Sequence, residues 1–182
     1  MLLSPLGKII MIYLLTGPIH SGKTTLLREV VQEMKRENLN VHGFLSEVIL
    51  KNEKVIGYDL FDLKEEKAIP FIRKGGEKEW QKIGSFYFIP QSLAEASKII
   101  LRSHGADLLV VDEVGPLEMG GKGLWPALEQ VIFQPRAKYL LVARTSVLED
   151  FLKFLGKSKV SIFDIREKDV LSRMLEEIKK AV

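Results

Sequence analysis

Gly17-Pro18-Ile19-His20-Ser21-Gly22-Lys23-Thr24 has the Gly-x-x-x-x-Gly-Lys-Thr spacing of a loop that cradles phosphate. The residue types explain the chemistry. Gly17 and Gly22 let the backbone curl, so that N–H groups point inward around an anion. A helix starting at Lys23 adds the positive end of its dipole. Lys23 is placed to reach the β- and γ-phosphates of a triphosphate, and the Thr24 hydroxyl to ligate Mg²⁺. Thr25 belongs to the same phosphate-facing stretch. His20 lies inside the loop at a position where side chains vary, so it takes no catalytic role.

A second constellation is Leu108-Leu109-Val110-Val111 and then Asp112-Glu113, with Asp112 standing 88 residues after Thr24. An acid at the carboxyl end of a buried parallel strand stands in the crevice where ligands bind. Asp112 is expected to hold Mg²⁺ opposite Thr24, through water. Glu113 is expected to orient or activate the attacking water. The stretch Asp112-Glu113-Val114-Gly115-Pro116 also has Asp-x-x-Gly spacing, in which a glycine N–H senses a γ-phosphate. No Asn-Lys-x-Asp, the guanine-selecting pattern, occurs at Tyr139 to Thr145 or Ile162 to Glu167. Arg144 stands at the end of another apolar run. It reaches the γ-phosphate from there or, as readily, caps a helix or stays at the surface. Glu47 and Glu118 are loop or strand-end acids that could orient water or metal. His42 and His104 lack metal-ligand spacing. Trp80 and Trp125 read as packing residues.

These groups need elements to position them. Ile9 to Leu15 reads as a buried strand ahead of the loop, and Lys23 to Glu37 as the helix after it. Val41 to Leu50 and Val55 to Leu63 read as a hairpin turning at Lys51-Asn52-Glu53-Lys54. Ala68 to Ile72 and Gly84 to Ile89 are further strands, so residues 42–90 form a β-rich antiparallel insertion. Strands and helices then alternate: helix Ser92 to Ser103, strand Leu108 to Val111, helix Leu124 to Phe133, strand Tyr139 to Val142. They continue with helix Val147 to Leu155, strand Val160 to Phe163 and a closing helix Lys168 to Ala181. The alternation predicts an α/β fold with a doubly wound, mainly parallel sheet and helices on both faces.

The chain has 182 residues, and we expect residues 1–182 to form a single domain. Hydrophobic content of 46% and charged content of 28% suit a globular protein, and the net charge of +3 comes without a basic tract. Nucleic acid is therefore not an expected partner. The absence of cysteine removes disulfides, thiolate metal sites and cysteine nucleophiles together. Met1 to Lys8 lacks a basic n-region and a cleavage site, and the apolar run after it is too short to span a bilayer. The expected setting is cytoplasmic, with no membrane contact.

The chain resembles the thermophilic-type nucleoside-triphosphatase family, relatives of the cancer-related nucleoside-triphosphatase. The likeness runs through Thr16-Gly17-Pro18 to Thr24-Thr25. Gly43-Phe44-Leu45-Ser46-Glu47 resembles the family's Gly-Phe-Tyr-Thr-Glu, and Ile56-Gly57-Tyr58-Asp59 its Ile-Gly-Phe-Asp. Asp112-Glu113-Val114-Gly115-Pro116-Leu117-Glu118 is similar to its Asp-Glu-Ile-Gly-Lys-Met-Glu, the most specific element. The resemblance implies a P-loop NTPase fold and Mg²⁺-dependent hydrolysis of ATP, GTP, CTP and UTP to diphosphate and phosphate. It also implies that Glu47, Gly115 and Glu118 belong to the site. Pro116 stands where many relatives carry Lys, Val48 where a second acid is frequent, and residues 64–83 match poorly. Two other readings use the same scaffold: a nucleotide or small-molecule kinase, and a slow NTP-dependent switch acting on a protein partner. Lys74-Gly75-Gly76-Glu77-Lys78 is Gly-rich, as a kinase lid would be, but only Arg73 lies near it.

Overall fold

The computed structural model describes residues 10–132, 138–156 and 158–180. Met1 to Lys8 and the expected element ends at Ile9, Phe133 and Ala181 lie outside them. The first half runs β1 (Met11–Gly17), α1 (Lys23–Arg36), β2 (Val41–Lys51), β3 (Lys54–Asp62), β4 (Lys67–Lys74), β5 (Lys82–Ile83) and β6 (Phe86–Phe88). The second half runs α2 (Pro90–Leu101), β7 (Leu108–Val114), α3 (Pro116–Met119), α4 (Trp125–Val131) and β8 (Lys138–Arg144). A 3₁₀ turn at Thr145–Val147 leads to α5 (Leu148–Leu155), β9 (Lys159–Asp164) and α6 (Val170–Lys180).

The described strands form one mixed sheet in the order β5-β6-β4-β3-β2-β7-β8-β1-β9. The pairs β2–β7, β7–β8, β8–β1 and β1–β9 are parallel, while β2–β3, β3–β4, β4–β6 and β6–β5 are antiparallel. The inner parallel strands β1, β7 and β8 are apolar on both faces because both faces are covered. Along β1, Ile12 and Leu14 join a core with Ile99 of α2, Leu128 of α4 and Phe151 of α5. Tyr13 and Leu15 point the other way, to Leu27 and Val30 of α1 and Met174 of α6. Each fully buried leucine or isoleucine contributes about 1.5–3 kcal/mol. Those contributions fix β1, and with it the start of the phosphate loop.

Two departures from the sequence pattern have local causes. The strand expected at Gly84 to Ile89 is shortened to β6, because Gly84, at φ +60°, lies in the turn that folds β6 back onto the short strand β5 before it. The helix α3 is only one turn long, too short to leave a hydrophobic period. Among the described residues, no helix is long and apolar enough to cross a membrane.

Candidate active site

Because β1, β7, β8 and β9 run parallel, their carboxyl ends meet at one edge of the sheet. The chain leaves β1 at Gly17, where φ is +148° and an added Cβ would lie 2.3 Å from Cγ2 of Ile165. The Ile165 amide donates to the Thr16 carbonyl at 2.9 Å, so the loop after β9 presses against the phosphate loop. Gly22, at φ +89°, turns the chain into α1. The first turn of α1 has no acidic residue and no side-chain cap, which leaves its N–H groups for an anion. The Ser21 hydroxyl donates to the Pro18 carbonyl at 2.8 Å. Lys23 donates to the carbonyls of Gly17, at 3.1 Å, and Pro18. Burial lowers the Lys23 pKa, against the pull of Asp112 and Glu113.

At the end of β7 the pairing with β8 shifts register between Val111 and Val114. Glu113 has φ +125°, a conformation that costs a residue with a side chain about 1–3 kcal/mol. Asp112 is 5% exposed. Its Oδ2 accepts the Thr24 hydroxyl at 2.8 Å and the Ser46 amide at 3.0 Å. Burial pushes its carboxyl up to about 6, although the Ser46 and Thr24 hydrogen bonds pull it down. The Thr24 hydroxyl and one carboxylate are hard oxygen donors 2.8 Å apart, and they fit Mg²⁺. Among the described residues there is no cluster of three or more His, Asp or Glu side chains that would hold a metal without phosphate. Mg²⁺ characteristically binds to one or two carboxylates, phosphate oxygens and water.

Around these groups lies a cleft of about 520 Å³. Its walls hold Lys23, Thr24, Asp112, Glu113 and Arg144, together with the loop residues Ile19 to Gly22 and Thr25. Glu47 also faces it. The charged groups satisfy one another: Arg144 is ion-paired to Glu113, and Arg28 to Glu47. Arg28, Ser46, Val48 and Tyr58 are wall residues that the sequence patterns did not single out. Arg28 had a readable signal, since it stands four residues after Thr24 on the same helix face. Tyr58 had none beyond its place in the family-like string Ile56-Gly57-Tyr58-Asp59, because its position at the cleft depends on β3 pairing with β2 opposite Val48.

Other expected site residues lie outside the walls. Gly17 and Pro18 accept the Lys23 ammonium through their carbonyls, Val114 is fully buried, and Gly115 caps the start of α3 at Pro116. Glu118 is 3% exposed and turns inward. Its carboxylate accepts the Gly115 amide at 3.0 Å and the Leu124 amide at 3.3 Å, and burial raises its pKa. It holds the chain after β7 in place instead of facing the cleft. Glu118→Ala leaves two buried amides unsatisfied, an expected loss of about 2–4 kcal/mol. Thermal unfolding should show Tm lower by about 5–15 °C. Glu118→Gln, which keeps an acceptor oxygen, should recover part of that. Trp125 packs edge-on to Phe154 at 4.5 Å and neither tryptophan faces the cleft. Arg73 donates to Asp59 at 2.6 Å and to the Tyr58 carbonyl at 2.8 Å.

Comparison with known proteins agrees in kind. A family model described as NTPase matches residues 12–178. Over 158 residues the chain is 28% identical to a nucleoside-triphosphatase THEP1 of Thermoplasma acidophilum, covering 83% of this chain and 84% of that protein. Over 131 residues it is 30% identical to a cancer-related nucleoside-triphosphatase homolog of Bos taurus, covering 66% and 68%. Its fold is similar to the solution structure of a human cancer-related nucleoside triphosphatase, with TM-score 0.70 and 22% identity over 95% and 96% of the two chains. It is also similar to the crystal structure of THEP1 from the hyperthermophile Aquifex aeolicus, with TM-score 0.73 and 18% identity over 93% and 99%.

Proposed function

Since the chain belongs to the NTPase family whose model spans residues 12–178, we propose that it hydrolyses nucleoside triphosphates to diphosphate and phosphate, with Mg²⁺ and with little preference among bases. The observation that carries this reading is the 2.8 Å hydrogen bond from Thr24 to Asp112, which joins the phosphate loop to the acidic strand end. We read residues 1–182 as one domain with a doubly wound sheet.

The roles follow from position and charge. The loop amides and Lys23 bind the β- and γ-phosphates. Thr24 and Asp112 would hold Mg²⁺, and the ion would supply charge neutralisation on the phosphate oxygens. Glu113 orients a water in line with the γ-phosphorus and accepts its proton. Arg144 leaves Glu113 for the γ-phosphate and, with Lys23, takes up the charge that develops as the β–γ bridge breaks. The kinase reading loses support from Arg73, whose guanidinium is engaged by Asp59 and the Tyr58 carbonyl. The lack of an Asn-Lys-x-Asp motif after β8 or β9 argues against a dedicated guanine switch.

The test is phosphate release from ATP, GTP, CTP and UTP in Mg²⁺ without an acceptor. Steady release from several of them is expected. Glu113→Gln should slow it about 10²-fold with nucleotide affinity nearly unchanged. Release by that variant at the wild-type rate would remove Glu113 from the mechanism.

A further inference from the structure

The ion pair between Arg144 and Glu113 raises a problem for catalysis. Glu113 is held by Arg144, and no other residue described is a hydrogen-bond partner of its carboxylate. A triphosphate competes for that guanidinium, because Arg144 and Lys23 face the same cleft. Once Arg144 turns to phosphate, Glu113 stands on its positive-φ backbone with nothing to aim it. A base must be held within hydrogen-bond reach of the water it activates.

Tyr58 is the donor at hand. It lines the same cleft and its hydroxyl lies in the field of both Glu113 and Arg144. Its ring is fixed edge-on against Phe86, with centroids 5.8 Å apart at 71°. Its carbonyl is held by Arg73, and its strand pairs with β2 opposite Val48. The hydroxyl itself has no hydrogen-bond partner among the described residues. Burial raises its pKa, so the group stays protonated at neutral pH and can donate. A phenol donating to a carboxylate makes a charge-assisted bond of the stronger kind.

We propose that Tyr58 is a positioning residue for hydrolysis: when a triphosphate draws Arg144 away, the Tyr58 hydroxyl donates to the Glu113 carboxylate and keeps it aimed at the attacking water. This rests on the hydrolytic role given to Glu113 above. The pair is thus handed from a cation that leaves to a neutral donor that stays.

Tyr58→Phe removes only the hydroxyl and keeps the ring against Phe86. Expected is a fall in kcat of about tenfold, with KM for ATP within about twofold of wild type. In a Glu113→Gln background the same change should lower kcat no further, because the hydroxyl acts through that carboxylate. Wild-type kcat in Tyr58→Phe overturns the proposal. So does an equal tenfold loss in both backgrounds, which would mean that the hydroxyl shapes the cleft independently of Glu113. Glu113→Gln turning over at the wild-type rate overturns the hydrolytic assignment and this inference together. A slow Glu113→Gln beside a normal Tyr58→Phe overturns this inference alone.

Discussion

Lys23→Ala is expected to lower kcat/KM for every nucleoside triphosphate by about 10³-fold or more. Lys23 is the cation that the loop itself supplies, and its ammonium sits on the Gly17 and Pro18 carbonyls at the mouth of the loop. Its pKa is lowered by burial, so the ammonium gives up part of its hydration before any ligand arrives. Exchanging carbonyl partners for phosphate oxygens then brings a large gain. The other nearby cations, Arg28 and Arg144, are each held by a carboxylate and cannot replace it without breaking a pair. Lys23→Arg should fail to rescue, since a planar fork cannot take the three-way geometry of an ammonium inside the loop. Steady-state kinetics with a fluorescent nucleotide titration would separate the loss of binding from the loss of turnover. A fall of only tenfold would shift the main charge-stabilising role to Arg144 or Arg28.

Asp112→Asn should do two opposite things. Hydrolysis should fall about 10³-fold if Asp112 acts as proposed, because a carboxamide is a poor substitute for a carboxylate that would help hold Mg²⁺. Stability without nucleotide should rise. The folded carboxyl titrates at about 6, and an unfolded one near its ordinary value of 3.8. Between those values the native state holds more protons than the unfolded state, so stability falls as pH rises through the window. At neutral pH the buried charge therefore costs about 1–3 kcal/mol. The asparagine oxygen can still accept from Thr24 and Ser46, so the substitution removes the charge and keeps the acceptor. Thermal unfolding without nucleotide or metal should show Tm higher by about 3–10 °C at pH 7.5. The advantage should shrink toward zero as pH falls below about 4. A lower Tm at pH 7.5 would mean that the ionised carboxylate stabilises the empty fold.

What could be read from the sequence followed from the range of the interactions. The phosphate loop was legible because its glycines, lysine and threonine act within eight residues. The four apolar residues before Asp112 identified β7 for a similar reason, since burial on both faces leaves a continuous run. By its sequence Glu118 is a loop or strand-end acid that could orient water or metal, yet its carboxylate is bound to backbone amides. The spacing from Gly115 was a capping signal: a glutamate three residues into a turn reaches back to the amide that opens it. The pairing of Glu113 with Arg144 was beyond reach, because it depends on a register shift between β7 and β8. Tyr58 was legible only as part of a family-like string. That it lines the same cleft as Glu113 depends on how β3 pairs with β2 at the edge of the parallel strands.

The sheet order has a consequence for the nascent chain. The strands that carry Thr24's loop and Asp112 are not neighbours, because β8, made later than either, lies between them. A growing polypeptide that has reached residue 132 contains both motifs in full. It lacks the strand that sets them at working distance, and it also lacks Arg144. The β9 loop, whose Ile165 presses against Gly17, is synthesised later still. During translation, competence to capture a triphosphate is therefore expected only once β8 and β9 are delivered, and a nucleotide bound to this chain would mark a molecule in which both strands have been made.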